Sequence, residues 1–206
     1  MARYTGPKVK ISRRLGVNIF ENDKGSKALN KRPYPPGEHG RSRRRQPSEY
    51  LLQLQEKQKA KYIYGVLERQ FSNLYKEASR QKGVTGENLL RMLEQRLDNI
   101  VFRAGWASTR PQARQFVSHG MVNVNGKRVD IPSYAVKVGQ KLDLTPGAQK
   151  FKFVAASIAA SEKRNPASWM DVDKGTFSLS IKSAPPREDL NEPEIREQLV
   201  VEYYSR

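Results

Sequence analysis

No cysteine occurs among the 206 residues, and histidine appears only at His39 and His119. Without thiols there is no disulfide and no thiolate metal site, and two imidazoles are too few to replace one. Long apolar runs are missing as well. The longest mostly apolar stretch, Phe153 to Ala160, is far short of the ~20 residues that cross a bilayer. The start MARYTGPKVK has no apolar stretch behind its charges, so a signal peptide is not expected and the expected compartment is the cytosol or an organelle. Phosphate-cradling glycine loops of the Walker type, GxSxG and HExxH are all absent, so no catalytic residue is assigned.

Acidic residues are scarce relative to basic ones. Thirty-eight Lys and Arg face 21 Asp and Glu, for a formal net charge of +17. A chain this basic repels itself, and a polyanion relieves that repulsion; nucleic acid fits better than a membrane surface, because no basic amphipathic helix stands alone. The charge is also unevenly spread. Residues 1–50 carry net +9, residues 51–92 +4 and residues 93–155 +6, whereas residues 156–206 carry −2. A basic front with a near-neutral tail points to a polyanion at the front and to protein or solvent at the tail.

The expected fold class is α+β: a mostly helical domain, a small inserted module of two helices plus short antiparallel strands, and an extended basic N-terminal region. The expected divisions are 1–47 for that extension, 48–93 plus 156–206 for the helical domain, and 94–155 for the module. Residues 1–47 are rich in Gly, Pro and Lys/Arg, and Arg32 to Gly37 reads as turns or extended chain. Having no core of its own, this segment is expected to order fully only against a partner. After Pro47, with Ser48 as N-cap, helical signals run to Gly83; Leu67, Phe71, Leu74, Tyr75 and Ala78 share one face. Thr85 is placed to cap a second helix whose apolar stripe runs from Leu89 to Ala104. Ser108 or Thr109 with Pro111 opens a short helix that Gly120 closes. Val122 to Val124, the turn Asn125-Gly126 and Arg128 to Ile131 read as a hairpin, and Val136, Val138, Leu142 and Leu144 continue the period of two. A helix is expected from Ala155 to Arg164, then proline-punctuated loops around Trp169, and Gln198 to Tyr204 as a strand or short docking segment.

Candidate contacts concentrate on the helix Arg110–His119. Ala113, Phe116 and Val117 form its buried face, which leaves Arg110, Gln112, Arg114, Gln115, Ser118 and His119 on or beside the outer face. That outer side suits phosphate and base-edge contacts, and the helix contains no acidic residue; Lys127 and Arg128 follow the Asn-Gly turn and face the same ligand. A second basic surface is expected at Lys57, Lys61, Arg69 and Lys76, with Glu56 and Glu68 placed to neutralise part of it. Four guanidiniums in RSRRR, Arg41 with Arg43, Arg44 and Arg45, suit bidentate phosphate binding.

RYTGPKVKISRRLG, PGEHGRSRR, YLLQLQEKQKAKYIYGVLERQF, TGENLLRMLEQRLDNIVFRAGWASTRPQARQFVSHGMVNVNGK and EQLVVEYYS follow one another along nearly the whole chain. In these stretches the sequence resembles the bacterial-type small-subunit ribosomal protein S-four family. The resemblance implies a non-catalytic primary binder of the 5′ domain of small-subunit rRNA that nucleates assembly of the subunit body. It further implies contact with small-subunit protein five and with mRNA near the channel where mRNA enters, and an influence on translational accuracy. By motif position it places Arg3, Tyr4, Arg13 and Arg14 on rRNA, and Arg41 and Arg43 to Arg45 toward rRNA or incoming mRNA. Many members hold a zinc with four N-terminal cysteines; with none here, no cofactor is expected. The RNA-binding module alone also occurs in RNA-modifying enzymes, and Arg96-Leu97-Asp98 resembles the Arg-Leu-Asp of pseudouridine synthases. Leu97 lies on the apolar stripe, however, so Asp98 reads as a surface ion-pairing residue. An RNA-handling accessory protein is therefore the runner-up, against which stands the lack of ~100 further residues for a catalytic domain.

Overall fold

The computed structural model describes residues 4–20, 22–42, 46–161, 167–173, 175–190 and 195–205. In chain order the helices are α1 (Lys8–Leu15), α2 (Asp23–Lys31), α3 (Glu49–Ile63), α4 (Glu68–Arg80), α5 (Thr85–Glu94), α6 (Leu97–Arg103) and α7 (Arg110–Ser118). Strands β1 (Val122–Val124), β2 (Lys127–Arg128) and β3 (Lys141–Leu144) follow, then α8 (Pro146–Gln149) and α9 (Lys152–Ser161). Strands β4 (Met170–Asp173) and β5 (Ser178–Ile181) and helix α10 (Glu197–Tyr204) complete the chain, and the class is α+β. Two compact units result, one from residues 1–77 with 193–206 and the other from residues 78–192.

In the first unit, α1 and α2 form where the sequence shows no sustained helical period. Asn22 caps α2 through its side chain, which accepts from the Gly25 amide, and Ile11 and Ile19 are buried. This segment therefore has a small apolar anchor despite its composition. Ser48 caps α3 as its sequence position predicts, its hydroxyl accepting from the Leu51 amide. The helical run beyond it breaks at Gly65, whose φ of +63° lies in the left-handed region that glycine enters without strain. What reads as one long helix is thus the pair α3 and α4. The C-terminal segment is a helix, and α10 packs along α3. Tyr204 stacks on Tyr75 and Phe71 at 4.7 and 6.2 Å, and Val200 is buried.

In the second unit, the N-cap of α5 is Val84 rather than Thr85, with no side-chain cap. The apolar stripe from Leu89 onward is divided between α5 and α6, with Arg96 between them bridged to Ala135. Thr109 caps α7 through its hydroxyl, with Pro111 in the first turn. The sheet is antiparallel with strand order β2-β1-β3-β5-β4. Register sets Val122 opposite Leu144, Val124 opposite Leu142, and Leu142 opposite Leu179. Period-two alternation puts these side chains on one face, where they join Leu97, Val101, Phe116, Val117, Trp106 and Trp169 in one apolar core. Several elements depart from expectation: the return strand of the hairpin is Lys127–Arg128 rather than Arg128 to Ile131, and the helix expected from Ala155 to Arg164 is α9, which starts at Lys152, Arg164 lying outside the described residues. Val136 and Val138 lie outside any strand, and residues around 170–181 form β4 and β5 instead of loops.

Candidate nucleic-acid interface

In the first unit the N-terminal candidates divide by orientation. Arg14 is exposed, and exposed Tyr4 rests edge-on against Tyr62 at 5.3 Å. Arg13 turns inward. Its Nη2 and Nε donate to the Tyr34 carbonyl at 2.8 and 3.1 Å, and Nε also reaches the Arg32 carbonyl at 3.2 Å. Two guanidiniums lie over the Tyr34 ring, Arg13 at 5.1 Å and Arg41 at 4.9 Å. A hydrogen bond from Arg41 holds the Tyr34 phenol below its ordinary pKa, aided by the charges of Arg41, Arg32 and Arg13. Arg13 thus binds the chain to itself, while exposed Arg14 and Arg41 face solvent. Arg3, Arg43, Arg44 and Arg45 lie outside the described residues.

The second basic surface is smaller than its sequence suggests. Lys57 is only 3% exposed: its ammonium meets Glu68 at 2.8 Å and lies 4.4 Å from the Tyr203 ring. Lys61 meets the other Glu68 oxygen at 3.0 Å, and Tyr204 donates to the carboxylate at 2.9 Å. Burial pushes the Glu68 carboxyl up, but the bonds from Lys57, Lys61 and Tyr204 together outweigh it and hold the pKa at about 2. Burial, then the hydrogen bond to Glu68 and its charge, push the Tyr204 phenol up in turn. Lys57 therefore ties α3 to α4 and α10 and does not belong to an open surface. Arg69 is exposed and Lys61 is partly so.

In the second unit the α7 arginines rest on one buried amide, Asn99, and one buried carboxylate, Asp98. Asp98 is 5% exposed, not on the surface. Arg96 grips it with Nε at 3.1 Å and Nη2 at 2.8 Å, and Arg114 Nη1 reaches it at 3.1 Å. Glu94, fully buried, is held by Arg103 at 2.9 and 3.1 Å and by the Asn99 amide at 2.6 Å. The Asn99 carbonyl accepts from Arg110 Nε at 3.0 Å, and Arg110 also lies over the Phe102 ring at 4.4 Å. Nothing in the sequence marks Arg103, Glu94 and Asn99, because their partners are five to eleven residues away with no helical spacing to connect them, whereas Arg96 stands only two residues from Asp98. Outside this network Gln115, His119, Lys127 and Arg128 are exposed. Arg128 donates to the His119 carbonyl at 3.1 Å, which joins the hairpin to the end of α7. Gln112 is half-buried and accepts from the Ser108 amide, closing the turn before α7.

Residues 3–94 match the ribosomal protein S4/S9 N-terminal domain, and residues 95–142 match the S4 domain. Over the full length of both chains, the sequence is 52% identical to small ribosomal subunit protein uS4 of Roseiflexus castenholzii and of Chloroflexus aurantiacus. It is 49% identical, again over both full lengths, to the protein of the same name from Chlorobium limicola. The chain belongs to the uS4 family of small ribosomal subunit proteins.

In this uS4 chain the S4 domain match spans α6, α7, β1 and β2 and enters β3. It therefore takes in the Asp98 cluster and the exposed edge of Gln115, His119, Lys127 and Arg128. A guanidinium already hydrogen-bonded on one side, as those of Arg110 and Arg114 are, loses little rotamer freedom when it takes up a further acceptor. Among the described residues no group of His, Asp or Glu is placed to hold a metal, and no helix is long and apolar enough to cross a membrane.

Proposed function

We propose that this chain binds small-subunit rRNA, in its 5′ domain, as a structural and non-catalytic component that nucleates assembly of the subunit body. The observation that carries this reading is the α7 surface of the S4 domain, where Arg110 and Arg114 are fixed on Asn99 and Asp98 beside exposed Gln115, His119, Lys127 and Arg128. Contacts from Tyr4, Arg14, Arg41 and Arg69 add a second face on the first unit. Arg13, Lys57 and Gln112 act by holding these surfaces in shape. The place of the protein is on the ribosome, in the cytoplasm or an organelle, beside small-subunit protein five and close to where mRNA enters, with an effect on translational accuracy. The acidic tail supports a protein or solvent neighbour there, since residues 156–206 carry net −2.

The test is titration of a 5′-domain transcript across salt concentrations. With roughly six to ten phosphates neutralised, affinity falls by about 10³–10⁵ between 50 and 200 mM salt, less for folded RNA. A dissociation constant independent of salt, or equal to that for an unrelated transcript, sinks the reading.

A further inference from the structure

Phe151 stands outside every contact described so far. It is 43% exposed, directly before α9, and flanked by exposed Lys150 and Lys152. Its ring stacks on Phe153, with centroids 5.6 Å apart and planes at 27°. Phe153 in turn meets the edge of Phe116 of α7 at 5.8 Å and 88°. Phe116 and Phe153 satisfy the packing, since Phe116 is buried and Phe153 lies against the core. Phe151 adds little to that core and keeps much of its ring in water, supported from behind by a second ring. Residues 145–160 contain two lysines and no carboxylate, and no described carboxylate pairs with either lysine. An exposed aromatic on a rigid aromatic support between two cations is the combination that stacks a nucleobase while neutralising its phosphates.

We infer that Phe151, braced by Phe153 and flanked by Lys150 and Lys152, is a stacking platform for an unpaired base of the bound RNA. This rests on the RNA-binding reading above and extends it to a segment beyond the S4 domain match, which ends at residue 142. The charge favours RNA over a protein partner: an apolar protein contact gains nothing from two flanking ammonium groups.

The test uses the full chain and a small-subunit rRNA transcript. Phe151→Ala and Phe151→Leu are both expected to weaken binding on the order of tenfold, as loss of one stacked base does. Neither changes the slope of affinity against salt, because stacking releases no counterions. Phe151→Trp is expected to bind at least as tightly as the native chain, with emission quenched by RNA; Trp106 and Trp169 are buried and give a steady background. Lys150→Gln with Lys152→Gln lowers the salt slope by about one for each phosphate left without its ammonium partner. Phe151→Leu binding as tightly as the native chain, or an unquenched Phe151→Trp, overturns the platform while the RNA-binding reading stands. Unchanged RNA affinity of Phe151→Ala with impaired uptake of another small-subunit protein also overturns it, in favour of a protein contact. Failure of the native chain to bind overturns both.

Discussion

Arg114 and Asp98 meet at 3.1 Å beneath the surface of α7, and Asp98 simultaneously carries a two-pronged contact from Arg96. Arg96 is itself buried, so removing the carboxylate strands a guanidinium in low dielectric. Asp98→Ala is expected to cost about 3–5 kcal/mol, the penalty for breaking a buried pair on one side only. Arg114→Gln leaves Arg96 and Asp98 paired and costs less. Arg114→Glu sets two carboxylates face to face and falls nearer Asp98→Ala. Urea unfolding of the three variants decides this; an Asp98→Ala midpoint within error of Arg114→Gln contradicts it.

Arg13 is expected to act on the order of the N-terminal segment before it acts on RNA. Its guanidinium gathers the carbonyls of Arg32, Tyr34 and Pro35, which spreads one charge over backbone that has no sheet to bond to. Arg13→Ala removes charge-assisted bonds worth roughly 1.5–3 kcal/mol each when well formed, less here because the site is partly exposed. Lysine lacks the fork and does not restore them. Hydrogen exchange of the free protein is expected to speed up across residues 24–40 in Arg13→Ala and Arg13→Lys alike. Full protection in the lysine variant would show that charge alone suffices.

Glu68 gives the first unit a defined acid sensitivity. Its folded pKa of about 2 lies below the ordinary 4.5, so the unfolded chain takes up the proton first as pH falls. The stabilisation is present above about pH 4.5 and is lost progressively toward pH 2. Glu68→Gln starts less stable, having left Lys57 without its counter-charge, but loses less over that interval. Thermal midpoints of the two proteins are expected to converge as pH drops; parallel curves would exclude Glu68 as the group responsible.

Local chemistry was legible in the sequence and long-range pairing was not. Ser48 and Thr109 announce their helices because a capping hydroxyl acts within three residues. The period of Ala113, Phe116 and Val117 fixes the buried face of α7 in the same way. Strands β4 and β5 are faint in the sequence although Ser178-Leu179-Ser180-Ile181 alternates, because the signal spans four residues among prolines and lysines. For Gln198 to Tyr204 the β-branched residues left strand and docking segment both open. As a helix, Val200 and Tyr204, four apart, share one face, with Val200 buried and Tyr204 stacked on Tyr75 and Phe71. At the site, exposure could be read for Gln115, Lys127 and Arg128 but not for Lys57. Burial of that lysine depends on Glu68 and Tyr203, which come from two other helices.

Gly120 and Arg128 supply the last prediction. Gly120 has a φ of +65°, and a Cβ built there would collide with the Arg128 guanidinium. That guanidinium is held against the end of α7 by the His119 carbonyl. Gly120→Ala therefore carries two separate costs. One is backbone strain in the left-handed region, roughly 1–2 kcal/mol, and the other is displacement of Arg128. Arg128→Ala removes the second cost but not the first, so the two substitutions are not additive. A double-mutant cycle is expected to show Gly120→Ala costing less in the Arg128→Ala background than in the native one, by more than the ~0.3–0.5 kcal/mol scatter of independent sites. Gly120→Ala should lower RNA affinity less than Arg128→Ala, since it shifts the guanidinium away from the end of α7 but leaves its charge on the hairpin. Additive stabilities would mean that Arg128 moves aside without cost, and an RNA affinity untouched by either substitution would remove Arg128 from the interface.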